Sequence, residues 1–310
     1  ADRYLKTNET LSDQELDDLK SYDAILLGAI GDARVKPGIL EREILLKIRF
    51  GLDQYINLRP VRLYENVYTP IKNKGPQDID YVVVRENTGG LYTGLGGVVD
   101  QGKSTEVAQQ VMEYSRVYVE RCLRFAFDYA LKRQKQGYPG RLTLCGKSNV
   151  LGYIFDLWLA VMDELKSEYS TITCDYVHVD ACCIYMVESP ERFDVIVTTN
   201  MFGDIITDLA AVTQGGMGVA SGANINPNGV SMFEPIGGTA PDFTGQDAIN
   251  PMAAIGAAHL MLDYLGFFDA AVALEKAKIS VIKQMDSMAA AAMGMGTKAV
   301  GDRVVSLLNT

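Results

Sequence analysis

A chain of 310 residues exceeds a typical single domain and can bury a sizeable core, which predicts one large or two smaller domains. The formal charge of −10 argues against nucleic acid as a partner, because phosphate binding needs a basic footprint, yet a small anion met by local arginines remains compatible. Five cysteines (Cys122, Cys145, Cys174, Cys182, Cys183) without a C-x-x-C pair, a polar Ala1–Asp13 and no bilayer-length apolar run predict a soluble, reduced, cytoplasmic protein without a membrane partner.

Ser12-Asp-Gln-Glu15 reads as a capping box that opens a short helix to Lys20. Ala24–Gly28 reads as a buried strand, and Ile39–Phe50 has helical spacing. Tyr55–Leu58 predicts a strand stopped by Arg59-Pro60, and Tyr81–Val84 predicts one that delivers Arg85, Glu86 and Asn87. Gly89, Gly90, Gly94, Gly96 and Gly97 make a flexible segment around Tyr92. One long helix is expected over Thr105–Gln134, with Tyr114, Val117, Cys122, Phe125 and Tyr129 as its core stripe. Leu142–Cys145 predicts a strand ending at Lys147-Ser148-Asn149, and Leu157–Leu165 a helix with Trp158 inside. Thr173–Val179 alternates like a strand and hands over to Asp180. Val195–Thr198 is a strand feeding a helix whose first turn carries Asp204, with Asp208 four residues on and on the same face. Gln214–Gly238 has loop composition, and Pro251–Leu265, Ala270–Met285 and Thr297–Leu308 predict three closing helices. Strands alternating with helices indicate an α/β fold.

Arg59, Arg85, Lys147, Asp180 and Asp204 fall just past the ends of apolar strands, the edge where open α/β sheets bind ligands, and Arg49 joins them from the preceding helix. Any one of them alone is most simply a solvated residue, and Asp204 alone is most simply a carboxylate near a helix N-terminus. Together they describe a site for a small polycarboxylate and a hard divalent ion: arginines hold carboxylates in bidentate fashion, and Asp204 and Asp208 are oxygen ligands suited to Mg²⁺ or Mn²⁺. Lys147 reads either as an exposed lysine or as a base among arginines, and Tyr92 either as a loop aromatic or as a general acid. His178 and His259, inside apolar segments, read as structural. Walker A and G-x-G-x-x-G motifs are absent. Gly237-Gly238-Thr239-Ala240-Pro241-Asp242 is either an ordinary turn or a loop whose acid meets ribose hydroxyls.

The segments LLGAIGD (26–32), LLKIRF (45–50), NLRP (57–60), VVRENTGGLY (83–92), GKSNV (146–150), HVDA (178–181), NMFGDIITDLAA (200–211), FEPIGGTAPDFTG (233–245) and INP (249–251) run nearly end to end. In this order they resemble the isopropylmalate/isocitrate family of β-decarboxylating dehydrogenases. The resemblance implies that Arg49, Arg59 and Arg85 clamp the carboxylates of a hydroxy dicarboxylate. It also implies that Asp180, Asp204 and Asp208 hold Mg²⁺ or Mn²⁺, with Lys147 assisting removal of the hydroxyl proton and Tyr92 protonating the enol carbon. Lys147 and Asp180 would reach into a neighbouring subunit, making a homodimer obligatory. Gly237, Gly238, Asp242, Asn250 and Asn149 would line the NAD site, with Asp242 favouring NAD over NADP. The implied fold is a two-domain α/β architecture other than Rossmann. Residues 1–54 and 216–310 would bind the cofactor, and 55–215 would carry the dimer interface and the metal and substrate residues.

Leu45 and Leu46 fall where the family contacts the substituent on the malate carbon, and two leucines suit an isopropyl group. The implied reaction is oxidative decarboxylation of 3-isopropylmalate to 4-methyl-2-oxopentanoate and CO₂ in leucine biosynthesis. DQYINLRPVRL also resembles D-malate and tartrate dehydrogenases, and a catalytically silent subunit is the alternative from another class. Two departures stand out. Gly237 replaces a histidine usual in the family, and the family's opening strand, turn and first helix are expected to be missing ahead of Ala1.

Overall fold

The capping box closes in the computed structural model, which describes residues 1–308. Glu15 N donates to Ser12 Oγ (3.1 Å) and Ser12 N donates to the Glu15 carboxylate (2.8 Å). These bonds start α2 (Asp13–Leu19), which follows α1 (Asp2–Thr7). After β1 (Ala24–Leu26) the chain is helical from 39 to 51, with a wide π-type turn over Glu41–Leu46 running into α3 (Lys47–Gly51). Next, β2 (Ile56–Arg62) continues through Pro60, where a stop was expected. Its register with β9 (Ser221–Ile225) covers only Ile56–Leu58, so the missing N–H of Pro60 breaks no bond on that side.

β3 (Asp80–Glu86) is followed by a ribbon of β4 (Gly96–Val99) and β5 (Val107–Gln110). The single helix expected over 105–134 is therefore wrong in its first part. Ser115 caps α4 (Arg116–Lys135) by accepting from Tyr118 N (3.3 Å), and the residues before it pair as a strand. The core stripe is also rotated: Val119, Cys122, Leu123, Ala126, Phe127 and Ala130 are buried, whereas Val117 is 66% exposed.

β6 (Arg141–Gly146), α5 (Gly152–Lys166), β7 (Thr173–His178), α6 (Val179–Glu188), β8 (Val195–Thr198) and α7 (Asn200–Thr213) follow as alternating elements. Trp158 on α5 is fully buried, as its apolar setting predicts. The stretch expected as loop, 214–238, instead holds β9 and β10 (Ser231–Pro235), an antiparallel hairpin whose connection contains Pro227-Asn-Gly229. The Gly, Asn and Pro residues there punctuate the hairpin. The three closing helices are α8 (Met252–Tyr264), α9 (Phe268–Ile282) and α10 (Thr297–Leu308).

The chain divides into two compact units, one of Ala1–Tyr81 with the segment from Asp208 onward, the other Val82–Thr207. In the first, β1 pairs parallel with β10, β10 antiparallel with β9, and β9 antiparallel with β2. Its helices α8, α9 and α10 bury Met252, Val281, Ile282, Val300 and Val304 together. In the second, β3, β8, β6 and β7 pair in parallel in that order. Arg85, Thr198 and Cys145 lie level in this register, with Gly146 level with His178. The loops that follow therefore leave by one carboxyl edge. Among the described residues no helix is long and apolar enough to cross a membrane.

Candidate active site

Along that edge, α7 starts at Asn200, so Asp204 sits a full turn into the helix and not in its first turn as expected. Favourable placement at the helix N-terminus, which fades beyond the first turn, loses force as an explanation for this acid. Its carboxylate instead gathers two side chains. Oδ1 pairs with Arg85 Nη1, and Oδ2 accepts from the Tyr92 hydroxyl at 2.8 Å. The Arg85 guanidinium also lies over the Tyr92 ring, 5.3 Å from its centroid. Arg85 is only 2% exposed, while Asp204 and Tyr92 are both more open. Burial, reinforced by the bond to Asp204, pushes the Tyr92 phenol above its ordinary pKa, so it remains a proton donor.

Two residues that sequence reasoning left without a role build this cluster. Asn200 Oδ1 accepts from Arg85 Nη2 (2.8 Å) and Nε (3.1 Å), and its Nδ2 donates to Gly89 O (3.1 Å). Glu86 accepts from Thr88 N (2.9 Å), Thr88 Oγ1 (2.7 Å) and Gly89 N (2.8 Å), folding the turn that leads to Tyr92. The only signal for Asn200 was its place between strand and helix.

Gly203 explains how an arginine fits beneath α7. A Cβ there would stand 2.7 Å from Arg85 Cβ and 2.9 Å from its Cδ. Gly203→Ala is therefore expected to destabilise by about 1–3 kcal/mol through overpacking, despite the ~1 kcal/mol that alanine ordinarily contributes in a helix. Denaturant unfolding checks this, and a variant as stable as the parent would refute the close approach.

Further along the edge, Lys147 Nζ pairs with Asp180 Oδ1 at 2.8 Å. Asp180 lies in the first turn of α6, and the bond to Lys147 holds its carboxyl below the usual range. Asn149 is exposed, and the neighbouring Ser148 N donates to the Tyr176 hydroxyl (2.8 Å). Asp208 is exposed on α7, one turn beyond Asp204. Among the described residues no three acidic, His or Cys side chains form a metal-binding group within the chain. Asp204 and Asp208 nevertheless offer hard carboxylate oxygens on one helix face, a donor set that fits Mg²⁺ or Mn²⁺ with room for outside ligands. His259 Nδ1 lies 2.9 Å from Ala271 O, and His178 Nδ1 lies 3.4 Å from the Tyr176 hydroxyl.

In the first unit, Arg49 ends the helical stretch through 39–51 at 5% exposure, and Leu45 and Leu46 lie half-buried in its π-type turn. Such turns occur often at functional sites. Arg59 lies on β2, its Nε donating to Asn57 Oδ1 (2.6 Å). Because β1 and β10 run parallel, the segments after both emerge together. They line a cleft of about 340 Å³ bounded by Ile30, Gly31, Asp32, Gly238, Thr239 and Ala240. Gly238 was expected at a cofactor site, whereas the 30–41 side of the cleft was not singled out. Asp242 is exposed in a single turn, Pro241–Phe243. The buried Asn250 lies two residues before α8, its Oδ1 accepting from Met252 N (3.0 Å) and its Nδ2 donating to Met288 O (3.0 Å). At Gly237 an added Cβ would come no nearer than 3.7 Å to Met217, and its φ is not positive, so neither space nor backbone requires glycine.

The family model for isocitrate/isopropylmalate dehydrogenase matches residues 1–304. The chain is 48% identical over 279 residues to the 3-isopropylmalate dehydrogenase of Thermobifida fusca, covering 89% of this chain and 78% of that protein. It is 46% identical over 313 residues to the 3-isopropylmalate dehydrogenase of Corynebacterium glutamicum (strain R), covering 100% and 89%. The crystal structure of isocitrate dehydrogenase from Methylococcus capsulatus superposes with a TM-score of 0.87 at 34% identity, covering all of this chain and 88% of that one. With its parallel-sheet edge carrying Arg85, Tyr92, Lys147, Asp180 and Asp204, the chain belongs to the isocitrate/isopropylmalate dehydrogenase family.

Proposed function

We propose that the chain is an NAD- and Mg²⁺- or Mn²⁺-dependent dehydrogenase converting (2R,3S)-3-isopropylmalate to 4-methyl-2-oxopentanoate and CO₂, in the cytoplasm and in leucine biosynthesis. The observation that carries this reading is Asp204 holding Arg85 and Tyr92 on one carboxylate. A metal acid, a substrate anchor and a proton donor thereby stand within hydrogen-bond reach of one another. The names and identities of the relatives support the choice of substrate.

Arg49, Arg59 and Arg85 hold the two substrate carboxylates, which fixes the hydroxyl-bearing carbon. Lys147 of a second copy receives the hydroxyl proton. When bound, the nicotinamide accepts a hydride and the divalent ion, held by Asp204 and Asp208 with Asp180 of a second copy, polarises the substrate oxygens. Once CO₂ has left, Tyr92 donates its proton to the enol carbon. Leu45 and Leu46 take the isopropyl group. Asp242, Gly237, Gly238, Asn250 and Asn149 belong to the cofactor side, and the cleft at 30–41 and 238–241 extends it. The first unit carries the cofactor cleft together with Arg49, Arg59 and Asp208, and the second carries Arg85, Tyr92, Lys147, Asp180 and Asp204.

A homodimer is supported by apolar surface on the second unit. Every residue of the β4–β5 ribbon is exposed, including Val98, Val99 and Val107, and a two-stranded ribbon alone is marginal in water. Tyr153, Ile184, Val187 and Ile205 are exposed on α5, α6 and α7.

Leu46→Arg tests the substrate assignment. The loss of kcat/KM is expected to be 10- to 100-fold for isopropylmalate, matching an isopropyl burial of about 1.5–3 kcal/mol, and distinctly smaller for D-malate. Equal losses on both substrates would contradict the assignment.

A further inference from the structure

Arg59 lies at the end of a hydrogen-bonded line that crosses three strands. Its Nε donates to Asn57 Oδ1 (2.6 Å), Asn57 Nδ2 donates to Asn224 Oδ1 (2.8 Å), and Asn224 Nδ2 donates to Glu234 Oε1 (2.7 Å). The sheet register produces the line. Asn57 on β2 is directly opposite Asn224 on β9, and Arg59 follows Asn57 on the same face two residues on. Glu234 on β10 lies diagonally across from Asn224, whose direct partner is Met232. Asn57 and Asn224 are fully buried and Glu234 is buried, so solvent does not set their orientation.

The direction of the line is dictated from the Glu234 end. A carboxylate only accepts, whereas a carboxamide accepts on one side and donates on the other. Glu234 therefore turns the Asn224 NH₂ towards itself and leaves the Asn224 oxygen for Asn57. Asn57 in turn shows its NH₂ to Asn224 and its oxygen to Arg59. A guanidinium only donates, so the reverse orientation would set NH₂ against N–H. Gly222 adds a second restraint, since a Cβ there would lie 2.9 Å from Arg59 Cδ and 3.1 Å from its Nε. The arginine stem thus lies flat across β9.

We infer that Glu234, acting through Asn224 and Asn57, is a positioning residue that aims the Arg59 guanidinium at a substrate carboxylate. This rests on the assignment of Arg59 to substrate binding.

The test is steady-state kinetics of Glu234→Ala and Glu234→Gln with isopropylmalate, NAD and Mn²⁺. Removing the acceptor in Glu234→Ala is expected to raise the KM for isopropylmalate about tenfold, with kcat within about threefold and the KM for NAD unchanged. Glu234→Gln keeps an acceptor in place and is expected to stay within about threefold of the parent. On an Asn224→Ala background, Glu234→Ala is expected to add less than about twofold, since the line is already cut. A lowered melting temperature with an unmoved KM, a Gln variant as impaired as the Ala variant, or full additivity with Asn224→Ala would each overturn the inference. Should Glu234→Ala be too unstable to assay, Glu234→Asp withdraws the oxygen by one methylene and is expected to show the same rise in KM. An unchanged KM there would likewise overturn it. Arg59→Gln separates the two levels of the argument. If it leaves the KM for isopropylmalate unchanged, the assignment of Arg59 fails; if it raises that KM while Glu234→Ala does not, only the positioning role fails.

Discussion

Replacing Asp204 by Asn is expected to lower turnover on the order of 10³-fold and to raise the Mn²⁺ concentration needed for half-activation at least about tenfold. The carboxylate has two duties in the geometry described above. It pairs with Arg85 and accepts from Tyr92, and with Asp208 it presents hard oxygens on one face of α7. The carboxamide preserves much of the first duty, since its oxygen still accepts from Arg85 and its NH₂ can donate to the Tyr92 oxygen. Asn200 keeps its own two bonds to the guanidinium. The loss of folding stability is therefore expected to be only about 1–2 kcal/mol, because Asp204 is half-exposed and Arg85 keeps an acceptor. The second duty is lost, because a neutral amide is a poor partner for a small divalent cation. Mn²⁺ titration followed by calorimetry, alongside the activation curve, separates the two. A variant with the parent's metal dependence would rule out Asp204 as a ligand.

Lys147→Met is expected to reduce kcat about 10²- to 10⁴-fold while moving the KM for isopropylmalate by less than about threefold. Methionine keeps most of the length of the lysine stem but can neither take nor hold a proton. The fold does not depend on the ion pair that is lost. Lys147 is partly exposed and Asp180 exposed, and solvent screens a pair of that kind so that it adds little to stability. Asp180, freed of the bond to Lys147, should titrate nearer the usual carboxylate range. In the parent the contribution of this pair is fully present above the ordinary carboxylate pKa and fades as pH falls through the lowered value. Near-normal turnover in Lys147→Met would exclude it as the base. A matching rise in KM would make it a binding residue instead.

The parallel half of the fold is legible because its strands are apolar runs that end in charged residues. Val82–Val84, Leu142–Cys145 and Val195–Thr198 are all buried, and Arg85, Lys147 and Asp204 follow from them on one edge. Short strands with polar inward faces are not legible in this way. β9 reads SGANI, and its Asn224 is buried only because Asn57 and Glu234 satisfy its amide from the neighbouring strands. Such partners lie 167 and 10 residues away in sequence, so no local pattern points to them. β5 was lost inside an expected helix because VAQQ has no turn residue before the cap at Ser115. The roles of Gly203 and Gly222 are equally hidden, since each reflects the arginine stem lying against it. Pro60 misled because a proline stops a strand only where its N–H is needed.

NADH formation by the purified chain with Mn²⁺, offered 3-isopropylmalate and D-malate separately, tests the proposed function most directly. Strong preference for isopropylmalate is the predicted result. Preference for D-malate, or no turnover on either substrate while isopropylmalate still binds, would contradict it.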